Sequence, residues 1–421
     1  MRTIVVHATD SQADARSLTQ ALALATAGDT VLVNPGIYSP ARTGEQLPLK
    51  IPAGVMVLGT GKEACIVDGE GQFAPSFNPI RTDLAVMELA DGVWVSGLTV
   101  TNGGGHGMAA PPGTTISVTN CTISQHGDHG LYLCGVAEAT VTNCEFFNNG
   151  QQRFEPTLPR GVGARQGHHL FAEARAGQQN RLLISDNRMR GCFADGIAFI
   201  CFFPEPDAVS FRATILRNVI EDSERGGLLF SGSFGPMRNR LHIVAADNTL
   251  RGNKQFGISV LTAIPLAERV PQETTVTAVL TGNVISASPI GVSIQGAVSE
   301  AQRNRCEVTL DGNRIVNCGK NAIRLVGALG SDNVRTEGNQ VHASVSRNIL
   351  SGGAPAVVLQ GAGGTAKSTP QQNAVTARMV GNTSDGTPEQ AFVMSTGIAG
   401  NTVEIVEGSQ GVTRKEGNLL T

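Results

Sequence analysis

Four segments share one pattern: Ser185-Asp186-Asn187-Arg188-Met189, Leu216-Arg217-Asn218-Val219-Ile220, Ala246-Asp247-Asn248-Thr249-Leu250 and Thr281-Gly282-Asn283-Val284-Ile285. In each, an apolar residue follows the Asn by two positions. About nine positions after the Asn comes a small residue opening an apolar-x-apolar triplet, as in Gly196-Ile197-Ala198-Phe199, Gly227-Leu228-Leu229-Phe230 and Gly257-Ile258-Ser259-Val260. The pattern returns at Asn313, Asn348 and Asn382. It extends upstream through Leu98, Cys121 and Cys144, with Ile123 and Phe146 in the apolar position. Successive members lie between 23 and 43 residues apart. Helical repeats keep a fixed unit length, and a propeller blade needs four antiparallel strands, so neither accounts for this spacing. A coil of short parallel strands stacked on itself does, with insertions absorbed in its loops. Asn suits such a column because it tolerates left-handed backbone and can ladder its amide onto the copy above.

On these residues the chain resembles the right-handed parallel β-helix, or pectin-lyase-like, superfamily. The N-terminal region strengthens the resemblance. Ser17 to Ala25 reads as an amphipathic helix, and Gly28-Asp29-Thr30-Val31-Leu32-Val33-Asn34-Pro35-Gly36-Ile37-Tyr38 as a first coil. The expectation is an all-β chain, one β-helix domain over 1–421. A capping helix at 14–26 precedes coils from about 28 to 400, and a loop is inserted at 149–166. The fold alone leaves function open, since the superfamily includes lyases, hydrolases, epimerases and phage adhesins.

Composition narrows the classes. A net charge of −3 leaves no basic footprint for nucleic acid, and no run of 18 apolar residues spans a bilayer. The 51 glycines follow no three-residue period, which excludes collagen and implies many turns. The eight cysteines form no CxxC and no metal-type pairing with histidine, so neither a metal nor another cofactor is expected. Unpaired thiols and a start without a leader point to the cytoplasm, or to secretion if the chain is a mature form. The only Trp and Tyr residues are Trp94, Tyr38 and Tyr132, few for a carbohydrate-binding platform.

The regularity breaks along one edge. The residue before each small residue reads His106, His129, Asp195, Gly226, Phe256, Ile290, Asn321. If Gly167-His168-His169-Leu170 is the displaced triplet of the longest coil, the outward triplet position reads Tyr132, His169, Ala198, Leu229, Ser259, Ser293, Arg324. That register turns His168 inward; a slip of one residue turns it out. The edge therefore gathers His129, Tyr132, His169 and Asp195 as catalytic candidates in a solvent-open groove. His106, Asp128, Arg165 and Arg225 are candidates for substrate binding, and the 149–166 insertion forms a wall. Each of these residue types is also common in solvated turns. The phenylalanines at 193, 199, 202, 203, 230, 234 and 256 read either as a stacked core or as an apolar pocket.

The inventory fits best β-elimination or C5-epimerisation of an acidic polysaccharide or oligosaccharide. Such chemistry needs a base, His129 or His169, an acid, Tyr132, and a carboxylate clamp, Arg165. Competing readings are a glycoside hydrolase using Asp128 and Asp195, an isomerase or cyclase acting on a small metabolite, and a non-catalytic carbohydrate-binding β-helix. The polygalacturonase-like branch's paired aspartates and the Asp-Pro-His element of alginate epimerases are missing; Gly127-Asp128-His129-Gly130 stands instead.

Overall fold

The computed structural model describes residues 1–73, 81–150, 167–175, 177–202, 208–235, 238–265, 270–330, 336–353, 355–364, 370–384, 392–397, 400–407 and 412–414. They form two compact units, one of Met1–Glu173 with Gln178–Ile197, the other of Ala174–Gly177 with Ala198–Thr421. Both are β-solenoids whose turns contribute strands to three parallel faces.

In the first unit, the first face runs through Thr3–Val6, Thr30–Val33, Met56–Gly59, Val93–Ser96, Thr115–Thr119, Glu138–Thr142 and Arg181–Ser185. All neighbours pair in parallel. The second face is built of three- and four-residue strands such as Thr99–Thr101, Thr122–Ser124 and Glu145–Phe147. The third holds Leu49–Ile51, Ala85–Leu89, His106–Ala110, Leu131–Cys134 and Leu170–Ala174. Alternation drives this: Val118, Val141 and Ile184 stack inward with no more than 1% exposure while Thr119 and Thr142 face out.

The capping helix covers Leu18–Leu24, shorter than the predicted 14–26. Ser17 caps it by accepting from the Gln20 amide, and the buried Glu45 carboxylate accepts from the Leu18 and Thr19 amides at 2.9 and 2.8 Å. Leu18, Ala21 and Leu22 form its buried side, against Thr3–Val6 and Leu49–Ile51.

In the second unit the Asn column is a continuous amide ladder. The Asn218 amide donates to Asn248 Oδ1 at 2.9 Å, and the bond repeats from Asn248 to Asn283, Asn313, Asn348 and Asn382. Each side-chain Nδ2 also donates to the Oδ1 of the next Asn. The left-handed residue, however, is the one before the column: Arg217, Asp247, Gly282, Gly312 and Arg347 have φ between 52° and 64°. The Asn itself is selected for the ladder alone. A second ladder, not expected from the sequence, joins Asn304, Asn339, Asn373 and Asn401. In the first unit Cys121 and Cys144 occupy the column, their thiols donating to the Thr119 and Thr142 carbonyls at 3.3 Å. All eight cysteines are buried and unbridged.

Candidate functional site

The titratable cluster lies wholly in the first unit. Strand pairing sets Met108 beside Leu131 and Leu131 beside Leu170, and the Leu170 amide bonds to the Gly196 carbonyl. The edge column is therefore His106, His129, His168, Asp195. This corrects the predicted register of the longest coil by two residues. Tyr132 is aligned with Phe171 rather than His169, and His169 takes the small-residue position beside Gly130. Gly167 had stood for that small residue, but it aligns with Asp128. The slip also hid Glu173, which the observed register puts beside Cys134 on the outward row of Tyr132 and Phe171.

The rings form a stack. The His106 and His129 rings are 5.1 Å apart and nearly parallel, at 3°, and His129 lies 5.3 Å from His168. Tyr132 sits 5.0 Å from His106 and 5.7 Å from His129, and Phe171 packs against His129, Tyr132 and His168. Asp128 reaches both imidazoles, Oδ2 at 3.6 Å from His106 Nδ1 and Oδ1 at 3.5 Å from His129 Nε2. The Tyr132 hydroxyl donates to Glu173 Oε2 at 2.7 Å. Among the described residues these groups do not line an open groove: Tyr132, His169 and Asp195 are 0% exposed and His106 is 2% exposed. Residual exposure lies at Asp128 (8%) and His129 (5%), the edge nearest solvent.

Backbone donors settle most of the imidazole tautomers, because an amide N–H can only donate. His129 Nδ1 accepts from the His168 amide at 3.2 Å, and His168 Nδ1 accepts from the Asp195 amide at 3.2 Å. Asn149 Nδ2 donates to His169 Nδ1 at 3.0 Å. In neutral form each of these three rings therefore carries its proton on Nε2, with the Nδ1 lone pair engaged. His129 and His169 were the predicted bases, yet neither has an uncommitted basic nitrogen. His106 differs. Neither of its nitrogens meets a partner in full hydrogen-bonding geometry, although the Arg81 backbone acts on the ring to raise its pKa.

Burial fixes the charge states. It pushes His106 down to about 3, with the charge of His126 as the second cause. Burial, followed by the charges of His106 and His168, also holds His129 well below its ordinary value, and burial takes His169 to about 3. Tyr132 is pushed the other way, by burial first and the Glu173 charge second. At neutral pH these imidazoles are neutral and the phenol keeps its proton.

His106, Asp128 and His129 bring three possible metal ligands within 4.8 Å of one another. The donor set does not fit a cation as it stands. Ligation through His129 Nε2 would move the ring proton to Nδ1 and orphan the His168 amide.

Arg165 and most of the 149–166 insertion fall outside the described residues. Arg225 is half-buried and belongs to the second unit. Phe199 and Phe230, also of that unit, stack at 5.5 Å in its core rather than lining a pocket. Tyr38 and Tyr132 are buried and Trp94 is exposed, so no Tyr platform faces solvent. Among the described residues no helix is long and apolar enough to cross a membrane.

Residues 85–264 match the family model described as the right handed beta helix region, and residues 6–152 match a protein family of unknown function, DUF1565. The chain folds as a right-handed parallel β-solenoid. No curated protein matches it. Among solved structures, it is similar to the catalytic unit of a GH87 α-1,3-glucanase from Streptomyces thermodiastaticus. Identity there is 17% and the TM-score 0.49, covering 94% of this chain but 65% of the glucanase. A mannuronic acid specific polysaccharide family 6 lyase from human gut microbiota matches at 13% identity and TM-score 0.43, over 99% and 91% of the two chains. PfbA, a surface adhesin of Streptococcus pneumoniae, matches at 11% and 0.45, over 94% and 96%. Two enzymes and an adhesin at such identities assign neither substrate nor chemistry.

Proposed function

We propose that the protein is a carbohydrate-active enzyme acting on an acidic polysaccharide or oligosaccharide by acid–base chemistry of the lyase or epimerase type. One observation carries this reading: a neutral imidazole, His106, whose nitrogens meet no partner in full hydrogen-bonding geometry, packs against a phenol, Tyr132, that keeps its proton. His106 takes the proton from the carbon beside the uronate carboxylate, and the electron pair moves into that carboxylate as an enediolate. In elimination the pair collapses to expel the neighbouring glycosidic oxygen, which takes the Tyr132 proton. In epimerisation Tyr132 returns a proton to the same carbon from the opposite face. Asp128 orients His106 and, with His129, forms the edge where the abstracted proton passes to water. Glu173 holds the Tyr132 hydroxyl. Arg165 is the proposed carboxylate clamp, and Asp195 fixes His168 in the stack.

The test is a screen of polyuronates, following absorbance of the unsaturated uronate and deuterium uptake from heavy water. His106→Ala and Tyr132→Phe, each folded, should lose about a hundredfold or more in turnover. His169→Asn should lose little. Activity retained in both of the first two variants overturns the assignment. New reducing ends without unsaturation would instead favour hydrolysis by Asp128 and Asp195.

A further inference from the structure

The outward row of the third face in the second unit holds Ser259, Ser293, Arg324 and Val358 on successive strands Phe256–Leu261, Ile290–Gln295, Asn321–Gly330 and Val357–Gly364. None of these four strands contains an acidic residue. Arg324 is half-buried between inward Ile323 and Leu325, both 0% exposed. One guanidinium nitrogen donates to Ser293 Oγ at 3.0 Å, and its buried Nε has no partner. Among the described residues no carboxylate reaches ion-pair distance of Arg324. Consistently, burial alone accounts for its lowered pKa, with no acid acting against it.

A desolvated guanidinium without a counter-charge is costly, and structures seldom leave one so. The serine beside it is primed in the same sense. Ser293 Oγ already accepts from Arg324 and from Gln295 Nε2 at 3.1 Å, so its own hydroxyl proton is left to donate. Ser259, 5% exposed, adds a second hydroxyl on the adjoining rung.

We infer that Arg324, Ser293 and Ser259 form an oxyanion-binding site, taking a ligand group with at least two acceptor oxygens. Arg324 grips that group through its planar fork while Ser293 donates its hydroxyl proton. A sugar carboxylate and a tetrahedral sulfate or phosphate share this chemistry. The site is independent of the acid–base cluster of the first unit and stands whatever reaction that cluster performs.

Titration of the whole chain with sodium glucuronate, sulfate and phosphate, each against sodium chloride at equal ionic strength, tests it by calorimetry and by melting temperature. At least one oxyanion should bind and raise the melting temperature. Arg324→Gln should weaken that binding about tenfold or more, which corresponds to about 1.4 kcal/mol. The same variant should melt no lower than the parent without ligand, because it removes an uncompensated charge. A response to glucuronate alone identifies a sugar carboxylate as the ligand; a response to sulfate or phosphate alone identifies a tetrahedral anion. Ser293→Ala, which keeps the arginine, should weaken binding about threefold to tenfold and serves if Arg324→Gln does not fold. No oxyanion binding above chloride, or variants that bind like the parent, overturns the site.

Discussion

The two units solve one corner with different atoms. Between the first and second faces, the second unit stacks Asn on Asn, each side chain satisfying an amide, a carbonyl and its own neighbour. The first unit ends the same column on Asn187, which accepts from the Cys144 amide, but fills the rungs before it with Cys121 and Cys144, which donate weakly and accept little. On the edge column the contrast reverses. The first unit sets His106, His129, His168 and Asp195 where the second has Gly226, Phe256, Ile290 and Asn321. One unit concentrates its polar atoms in a structural ladder, and the other in a buried titratable stack. Saturated amides hold a fold, whereas imidazoles kept neutral by burial leave protonation states that pH can reach.

The largest expected effect follows from that burial. His106, His129 and His169 have folded pKa values below the ordinary histidine value of 6.5. Between that value and the folded value, the unfolded chain binds protons that the native chain does not. Stability from these groups is therefore complete above about pH 6.5 and is lost as pH falls towards about 3. Each group costs at most about 1.4 kcal/mol per pH unit. Hydrogen exchange between pH 7 and 4 should show amides of Leu131–Cys134 losing protection before those of Thr275–Thr281 in the second unit. Equal loss in both would remove the contrast.

A smaller effect separates the ladders. Asn283 accepts from the Asn248 amide at 3.0 Å and donates to the Ala245 carbonyl at 2.9 Å, all buried. Asn283→Leu leaves both backbone groups unsatisfied and should cost about 2–4 kcal/mol in denaturant unfolding. Cys144→Ala in the first unit loses a methyl-sized group and a weak thiol bond, and should cost about 1–2 kcal/mol. A larger loss at Cys144 than at Asn283 would show that the cysteine column is the stronger support.

The fold was legible because stacking like on like writes itself into sequence as a column. Asn218, Asn248, Asn283, Asn313 and Asn348 recur with a constant offset to the next strand whatever the loop length. The second ladder was equally present: Asn304, Asn339 and Asn373 each precede a first-ladder Asn by nine residues. The site was legible only up to Tyr132. Beyond it the insertion broke the count, and with side-chain alternation of period two, a two-residue slip preserves the apolar pattern while moving every partner. Glu173 was lost for that reason. The choice among imidazoles could not be read from sequence at all, since it rests on which backbone amides meet which ring nitrogens.

The finest test of the comparison is His126, an imidazole doing the work of the amide ladder inside the titratable unit. Its Nδ1 accepts from the Gly103 amide at 3.1 Å, and Nε2 faces the Val100 carbonyl at 3.1 Å and donates to it. On the next rung, Asn149 repeats both bonds, accepting from the His126 amide at 3.2 Å and donating to the Ile123 carbonyl at 3.1 Å. The second unit has the equivalent pair in Asn253, which accepts from the Ser223 amide at 3.1 Å. An amide at 126 can therefore serve both partners. His126→Asn should change stability by less than about 1 kcal/mol, whereas His126→Leu, which serves neither, should cost about 1–3 kcal/mol. His126 is also the second cause of the low His106 pKa, after burial. Replacing it should raise that value slightly and leave most of the depression in place, a shift readable by nuclear magnetic resonance titration of the imidazole carbon. Return of His106 to the ordinary histidine value in His126→Asn would make its neighbour, rather than burial, the cause of its neutrality.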